Sequence, residues 1–368
     1  MEYKRLGDYI RLVDVRNRDL KVTNLLGVSI SKEFMPSIAN TIGTDMSVYK
    51  IVERGQFAYG PVTSRNGDKV SIALLNDYDN AIISQAYTVF EVIDHNALSP
   101  EYLMMWFKRP EFDRYARFHS HGSAREIFDW NELYDVMLPV PPITRQREIV
   151  SEYETLTNRI QNNEQLIKKL EDTAQAIYHH TFVEGIDEEN LPKGWRKEKL
   201  GEVASVLDFM RKPLSGEERE KIKGVYPYYG AMSIVDYIND YIFDGTYLLF
   251  SEDGANVVDE NGFPALQYIW GKFWLNNHAH ILQGKDFVST EYLYCSLKNK
   301  YVGDLVTGAA QPKINQENMC GITMIIGDKA KMEQFNNQVK HIFDYIKNLS
   351  EENSHLKSLL SLLTSKLS

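Results

Sequence analysis

The stretch Pro139-Val140-Pro141-Pro142-Ile143-Thr144-Arg145-Gln146-Arg147-Glu148-Ile149-Val150 decides how the rest of the chain is read. Its prolines make a stiff segment that no helix interior tolerates, and Thr144 is a plausible N-cap for a helix beginning there. From Ile149 the series runs Tyr153, Leu156, Ile160, Asn163, Ile167, Leu170, Ala174 and Ile177, in alternating steps of four and three. The same alternation returns at Phe335, Val339, Ile342, Ile346, Leu349, Asn353, Leu356, Leu360 and Leu363. A 3.5-residue spacing held over about four heptads predicts a coiled-coil seam rather than a generic amphipathic face. Each seam carries one asparagine, Asn163 or Asn353, of the kind that fixes register or pairing orientation at a cost in stability. At 1.5 Å per residue each helix spans roughly 55–60 Å. Two ordinary core helices of a bundle are the plainer alternative.

The residues ahead of each helix tell against that alternative. Leu6-Gly7-Asp8 is echoed by Leu200-Gly201-Glu202, and Ser99-Pro100-Glu101-Tyr102-Leu103 by Ser289-Thr290-Glu291-Tyr292-Leu293. Gly122-Ser123-Ala124 is echoed by Gly308-Ala309-Ala310, after which both segments run through a short apolar strand into the long helix. The offsets fall from 194 to 186 residues, as expected for one duplicated unit with unequal loops. The expected domains are residues 1–142, a first long helix 143–182, a Gly-, Pro- and acid-rich linker 183–194, a second domain 195–327 and a second long helix 328–368. Short apolar runs such as Ala81-Ile82-Ile83-Ser84 and Tyr247-Leu248-Leu249-Phe250 predict strand-rich domains, with a helix near Glu101–Phe107. The fold class is therefore α+β: two mixed, strand-rich domains separated by an antiparallel coiled coil of two long helices.

Composition is that of an ordinary globular protein, with 43% apolar and 25% charged residues. No apolar run reaches the roughly 18 residues of a membrane span, no signal peptide is visible, and the expected compartment is the cytoplasm. Cys295 and Cys320 supply no metal pair. Catalytic motifs are missing: there is no Asn-Pro or Asp-Pro step for adenine methylation and no Walker phosphate loop. Asp14 with Asp19-Leu20-Lys21 is a poor nuclease triad because the acids stand too close in sequence. The histidines at 119, 121, 179, 180, 278 and 280 lack the companions of a metal site. No catalytic and no metal residue is expected. The net charge of −10 tells against nucleic-acid binding, although phosphates respond to local patches and a partner subunit can supply basic surface.

Residues Pro139 to Val150 resemble the junction between recognition domain and long helix in the DNA-specificity subunits of type I restriction-modification enzymes. Tyr247 to Ala255, Asn276 to Leu282, Thr307 to Asn315, Val52–Tyr59 and Ile82–Phe90 are similar to recurrent stretches of such recognition domains. Leu191-Pro192-Lys193-Gly194-Trp195 resembles the start of a second recognition unit. The first half lacks the Gln311-Pro312-Lys313 sequence of the second. The resemblance implies two target-recognition domains, a bipartite double-stranded DNA site and two N6-adenine methyltransferase partners, which ATP-dependent restriction subunits can join. It implies a non-catalytic chain that binds no cofactor, S-adenosylmethionine being held by the partners. Antiparallel helices in a direct repeat would relate the halves by a pseudo-two-fold axis, with half-site centres about 10 bp apart. A coiled-coil scaffold without a DNA role and a self-contained modification enzyme are the competing readings.

Basic and amide side chains are the expected groove readers. In the first half they are Arg114, Arg117, His119, His121 and Arg125 beside the glycine loop, with Arg109 nearby, and Arg54, Arg65 and Lys69 as a second cluster. In the second they are Gln311, Lys313 and Asn315, with Gly308 allowing close approach to a phosphate. Helix pairing or partner contact falls to Ile149, Leu156, Ile160, Asn163, Ile167, Leu170, Ile342, Ile346, Leu349, Asn353, Leu356 and Leu360. For each basic residue the plainer alternative is a solvated charge or a surface ion pair.

Overall fold

A computed structural model of the chain describes residues 2–38, 43–63, 66–67, 69–122, 126–254, 257–308 and 311–367. The chain forms two compact units, Met1–Gln161 with Asn353–Ser368, and Asn162–Glu352. It is an α+β protein with two mixed domains and a pair of long antiparallel helices.

In the first unit the strands are β1 (Tyr3–Arg5), β2 (Ile10–Val13), β3 (Leu26–Val28), β4 (Phe34–Pro36), β5 (Lys50–Glu53), β6 (Phe57–Gly60), β7 (Ser71–Leu74), β8 (Asn80–Ile83) and β9 (Thr88–Val92). Helices α1 (Pro100–Phe107), α2 (Pro110–Phe118) and α3 (Trp130–Tyr134) come next, then β10 (Met137–Pro139) and the long α4 (Ile143–Phe182). An antiparallel sheet in the order β2-β9-β6-β7 is flanked by the pairs β1-β10, β3-β4 and β5-β8. Phe57 and Phe90 stack at 4.8 Å between strands, and the ring of Phe107 meets both edge-on. Helix α1 starts where it does because Ser99 accepts a hydrogen bond from the Tyr102 amide and Pro100 pre-sets the first turn.

The second unit repeats this plan with longer strands: β11 (Arg196–Lys199), α5 (Leu200–Val203), β12 (Ala204–Val206), α6 (Gly216–Lys221), β13 (Lys223–Tyr229), β14 (Ile234–Ile238), β15 (Phe243–Ser251), β16 (Leu266–Leu275), β17 (Ala279–Gly284), α7 (Thr290–Lys298), α8 (Gln316–Cys320), β18 (Thr323–Ile326) and α9 (Lys329–Ser365). Its six-stranded sheet runs β12-β17-β15-β16-β13-β14, with only the β13–β16 pairing parallel. The echoes in sequence are echoes in structure. The Leu6 amide bonds to the Val136 carbonyl at 2.8 Å, and the Leu200 amide to that of Ile322 at 2.8 Å. Gly7 is required because a Cβ there would overlap the Tyr134 ring. Buried Tyr102 and Tyr292 donate their hydroxyls to the carbonyls of Pro139 and Ile325 in the closing strands.

Within the first unit, Ile149, Val150 and Tyr153 at the start of α4 share a core with Leu363 and Leu367 at the end of the chain. Within the second, Ala174, Ile177 and Phe182 at the end of α4 pack with Met332, Phe335 and Val339 at the start of α9, the rings of Phe182 and Phe335 lying 5.3 Å apart. Start meets end in both, so the pairing is antiparallel. One sequence expectation needs correction. Helix α4 begins at Ile143, and the carbonyl of Pro142 accepts from the Gln146 amide at 3.1 Å, which puts Thr144 inside the first turn instead of at the cap. In α9, Ile342 packs on the shared core, and the neighbouring Phe343 is buried as well because this helix also covers Tyr268 (4.7 Å) and Tyr294 (5.7 Å) of its own domain. Among the described residues, no helix is long and apolar enough to cross a membrane.

Candidate nucleic-acid interface

Each unit closes one loop in the same way. His121 and Ile127 exchange backbone hydrogen bonds at 3.0 and 2.9 Å, and Thr307 and Lys313 do so at 2.8 Å in both directions, 186 residues later. The second residue of each pair also bridges the segment that leaves a central strand: Ile127 with Val62 after β6, Lys313 with Asp253 after β15. Next along the chain, Phe128 donates to the Pro61 carbonyl and Ile314 to that of Glu252, both at 2.9 Å. Asp129 and Asn315 then cap α3 and α8. Gly122 and Gly308 open the loops at φ of 132° and 86°, in the left-handed region that side chains avoid. Both loops are thus held at their base while the intervening residues differ, which is how one scaffold presents two chemistries.

In the first unit the loop is ringed by paired charges. Arg114 meets Glu111 at 3.0 Å, Arg117 pairs with Glu126, and His119 and His121 lie 3.2 and 3.5 Å from Glu132. Exposed pairs of this kind contribute little to stability and are easily exchanged for phosphate. Lys69 does not join Arg54. It lines an open groove of ≈ 600 Å³ with Lys32, Lys108, Arg114 and Tyr153. Beneath that groove the buried Lys32 ammonium is 2.6 Å from Asp113 and 2.6 Å from the Phe107 carbonyl, and burial pushes its pKa down against the pull of Asp113. Arg54 sits at the other end of β6, bound to Asp79 at 3.0 Å. Arg109 is buried against Trp106. Arg65 and Arg125 lie outside the described residues.

In the second unit the loop rests on a buried charge network that no sequence motif announces. Glu252, 9% exposed, takes the Lys313 ammonium at 2.7 Å and the Arg211 guanidinium at 2.7 Å. His280, 1% exposed, meets Asp208 through Nδ1 at 2.5 Å and the Ile314 carbonyl through Nε2 at 2.9 Å. Burial raises the pKa of Glu252, but the hydrogen bonds from Lys313 and Arg211 outweigh it and hold the carboxyl below its usual range. Asp208, Glu252 and His280 bring three possible metal-ligand atoms within 4.8 Å of one another. The set does not suit a cation: the two imidazole nitrogens are already engaged by Asp208 and the Ile314 carbonyl, and two basic side chains already neutralise Glu252. The Asn315 side chain is committed to the Asn318 amide at 2.8 Å, Gln311 is exposed, and His278 pairs with Asp253 at 2.8 Å. A Cβ on Gly308 would overlap the Gln311 carbonyl, so this glycine serves the turn itself.

Of the helix residues, Ile149, Ile160, Asn163, Ile346, Leu349 and Asn353 are buried, whereas Leu156, Ile167, Leu170, Ile342, Leu356 and Leu360 are half-buried. Asn163 donates to Glu352 at 2.9 Å. Gln146 locks α4 to its domain by accepting from the Ser99 amide (2.8 Å) and donating to the carbonyls of Ala97 (2.9 Å) and Pro141 (2.8 Å).

Comparison with known proteins agrees with this geometry. A Haemophilus influenzae protein named as a putative type I restriction enzyme specificity subunit is 33% identical over 120 residues, which is 33% of this chain and 30% of that protein. The MjaIX type I specificity subunit of Methanocaldococcus jannaschii is 22% identical over 308 residues, 75% of this chain and 70% of that one. The crystal structure of the type I restriction-modification S subunit from M. genitalium superposes with a TM-score of 0.61 at 15% identity, over 100% of this chain and 95% of that one, and so shares the fold. The family model described as type I restriction modification DNA specificity domain matches twice, over residues 3–172 and 192–360, and the chain belongs to that family.

Proposed function

We propose that this chain is the DNA-specificity subunit of a type I restriction-modification enzyme, reads a bipartite duplex site with one unit per half-site, and catalyses nothing itself. The observation that carries the reading is the pair of equivalent closed loops, 121–127 and 307–313, one in each copy of a DNA specificity domain. Their bases match and their side chains do not, as expected of two readers of unlike sequences. Arg114, Arg117, His119, His121 and Lys69 serve the first half-site; Gln311 and Lys313 serve the second, with Arg211 and His278 added. Glu111 and Glu126, the exposed partners of Arg114 and Arg117, yield to phosphate on binding, whereas the buried Glu252 holds Lys313 and Arg211 in place. Arg54, Arg65 and Arg125 remain candidates for backbone contact, as does the Gly308 turn, and Asn315 positions its loop as a cap. The residues of domains 1–142 and 195–327 read, while the helices 143–182 and 328–368 dock two N6-adenine methyltransferase subunits, with ATP-dependent restriction subunits able to join in the cytoplasm. S-adenosylmethionine binds the methyltransferases, which flip the target adenine into their own pockets.

Mapping adenine methylation in cellular DNA with and without the gene tests this. A bipartite methylated motif with half-site centres about 10 bp apart should vanish when the gene is deleted. The reconstituted complex should bind that motif with an affinity that falls steeply as salt rises. An unchanged methylation pattern, together with a complex that does not discriminate the motif, would overturn the reading.

A further inference from the structure

Phe118 and Phe209 are the most exposed aromatic side chains among the described residues, each 82% accessible. A single exposed apolar residue needs no explanation, but both of these stand on anchored backbone beside the closed loop of their own unit. Phe118 ends α2, and the next residue, His119, is pinned by stacking on Tyr115 at 4.2 Å and by Glu132 at 3.2 Å. Ser120 then binds the Ala116 carbonyl at 2.7 Å and Thr63 at 3.0 Å, just ahead of the loop. Phe209 is the middle residue of the 3-10 turn Asp208–Met210. The Asp208 carboxylate holds one end of that turn by accepting from the Ile281 amide at 3.0 Å and meeting His280. Arg211 holds the other, reaching the Ala279 carbonyl at 2.8 Å and the same Glu252 that binds Lys313 of the loop.

The two rings are not inherited from one ancestral position. The repeat sets Phe118 against Asp304 and Phe209 against Val15, so each unit arrives at a rigid, exposed phenylalanine by its own route. Basic residues neighbour both in the chain, most of them paired with carboxylates: Arg114, Arg117 and His119 for Phe118, and Arg211 with Lys212 for Phe209. A stiffly mounted apolar ring beside basic side chains is an arrangement by which proteins pry apart stacked base pairs. We propose that Phe118 and Phe209 are wedge residues, each entering one base step of its half-site and partly unstacking it. Easily unstacked pyrimidine–purine steps would then be preferred at positions the side-chain donors never touch. This rests on the DNA reading given above.

The test uses the complex with its methyltransferase subunits and duplexes carrying the motif found by methylation mapping, with 2-aminopurine placed at successive positions. The wild-type complex should raise fluorescence at one step in each half-site besides the methylated adenine. Phe118→Ala should abolish the signal in one half-site and Phe209→Ala in the other. Each should weaken specific binding about 5- to 100-fold while leaving nonspecific binding within about twofold, whereas Phe118→Trp and Phe209→Trp should keep the signal. Both rings are exposed, so melting curves should not move. Unchanged fluorescence in both variants, with specific binding intact, overturns the wedge and leaves the DNA reading standing. Loss of methyltransferase subunits from the variant complexes also overturns it and assigns the rings to a protein contact. A wild-type complex that binds no motif defeats the DNA reading itself, and the wedge with it.

Discussion

At the scale of single residues, charge in this protein is either buried and structural or exposed and lightly held, and Glu252 belongs to the first kind. Its folded-state pKa is depressed, so its stabilising effect is present above the ordinary carboxylate pKa and is lost as pH falls through the lower, folded value. In that window the unfolded chain binds the extra proton, so stability must rise with pH. The second unit should therefore lose stability below about pH 4.5, and Glu252→Gln should flatten that stretch of the profile. Urea midpoints measured between pH 3 and 7 decide this; a variant with the wild-type slope would remove Glu252 as the cause. The network was illegible in the sequence for a physical reason. Asp208, Arg211, Glu252, His280 and Lys313 come from a turn, two strand ends and a loop, and only the tertiary fold brings them together. The cations around loop 121–127 were legible as a cluster because most of them sit within a few residues of one another on α2 and its C-terminal turn.

At the scale of elements, the legible features were those that repeat along the chain. The 3.5-residue alternation foretold α4 and α9, and the ordered echoes foretold that α1 and the closing strand β10 recur as α7 and β18. The short strands of the first unit carried no such signal, since β3 and β4 are three residues each and pair only with one another. The face that α9 buries is wider than the heptad seam. A strict seam puts Ile342 at the interface, yet α9 must also cover its own domain, so its buried face widens to take in Phe343. The energetic consequence can be measured. Phe343→Ala removes a ring packed between Tyr268 and Tyr294 and should cost about 3–5 kcal/mol, whereas Ile342→Ala, at a half-buried site, should cost roughly half as much. Chemical denaturation of the two variants checks the order; equal costs would mean that the seam alone governs this helix.

At the scale of the whole molecule, the first unit is built from two separated stretches, whereas the second is the continuous run Asn162–Glu352 and takes in parts of both long helices. The first needs the end of α9, because Leu363 and Leu367 lie in the same core as Ile149 and Trp106, and the second needs the end of α4, because Phe182 meets Tyr292 and Phe335. A reader built this way cannot complete its N-terminal unit until the last residues of the chain arrive, so α9 belongs to the recognition apparatus as well as serving as a rod. Substitution at the far end of the sequence should therefore be felt near its beginning. Leu363→Ala with Leu367→Ala should destabilise the first unit by about 2–5 kcal/mol, chiefly through Leu367, which is 2% exposed. Hydrogen exchange locates the effect: faster exchange in α1, α2 and the start of α4, with β15, β17 and α7 unchanged. Specific DNA binding by the complex should weaken at the half-site proposed for loop 121–127 and hold at the other, because that loop is anchored through Phe128 to the same core. Uniform loss of protection across both units would instead mean that the chain unfolds as a single cooperative block, and the view of two units closed by exchanged helix ends would fall.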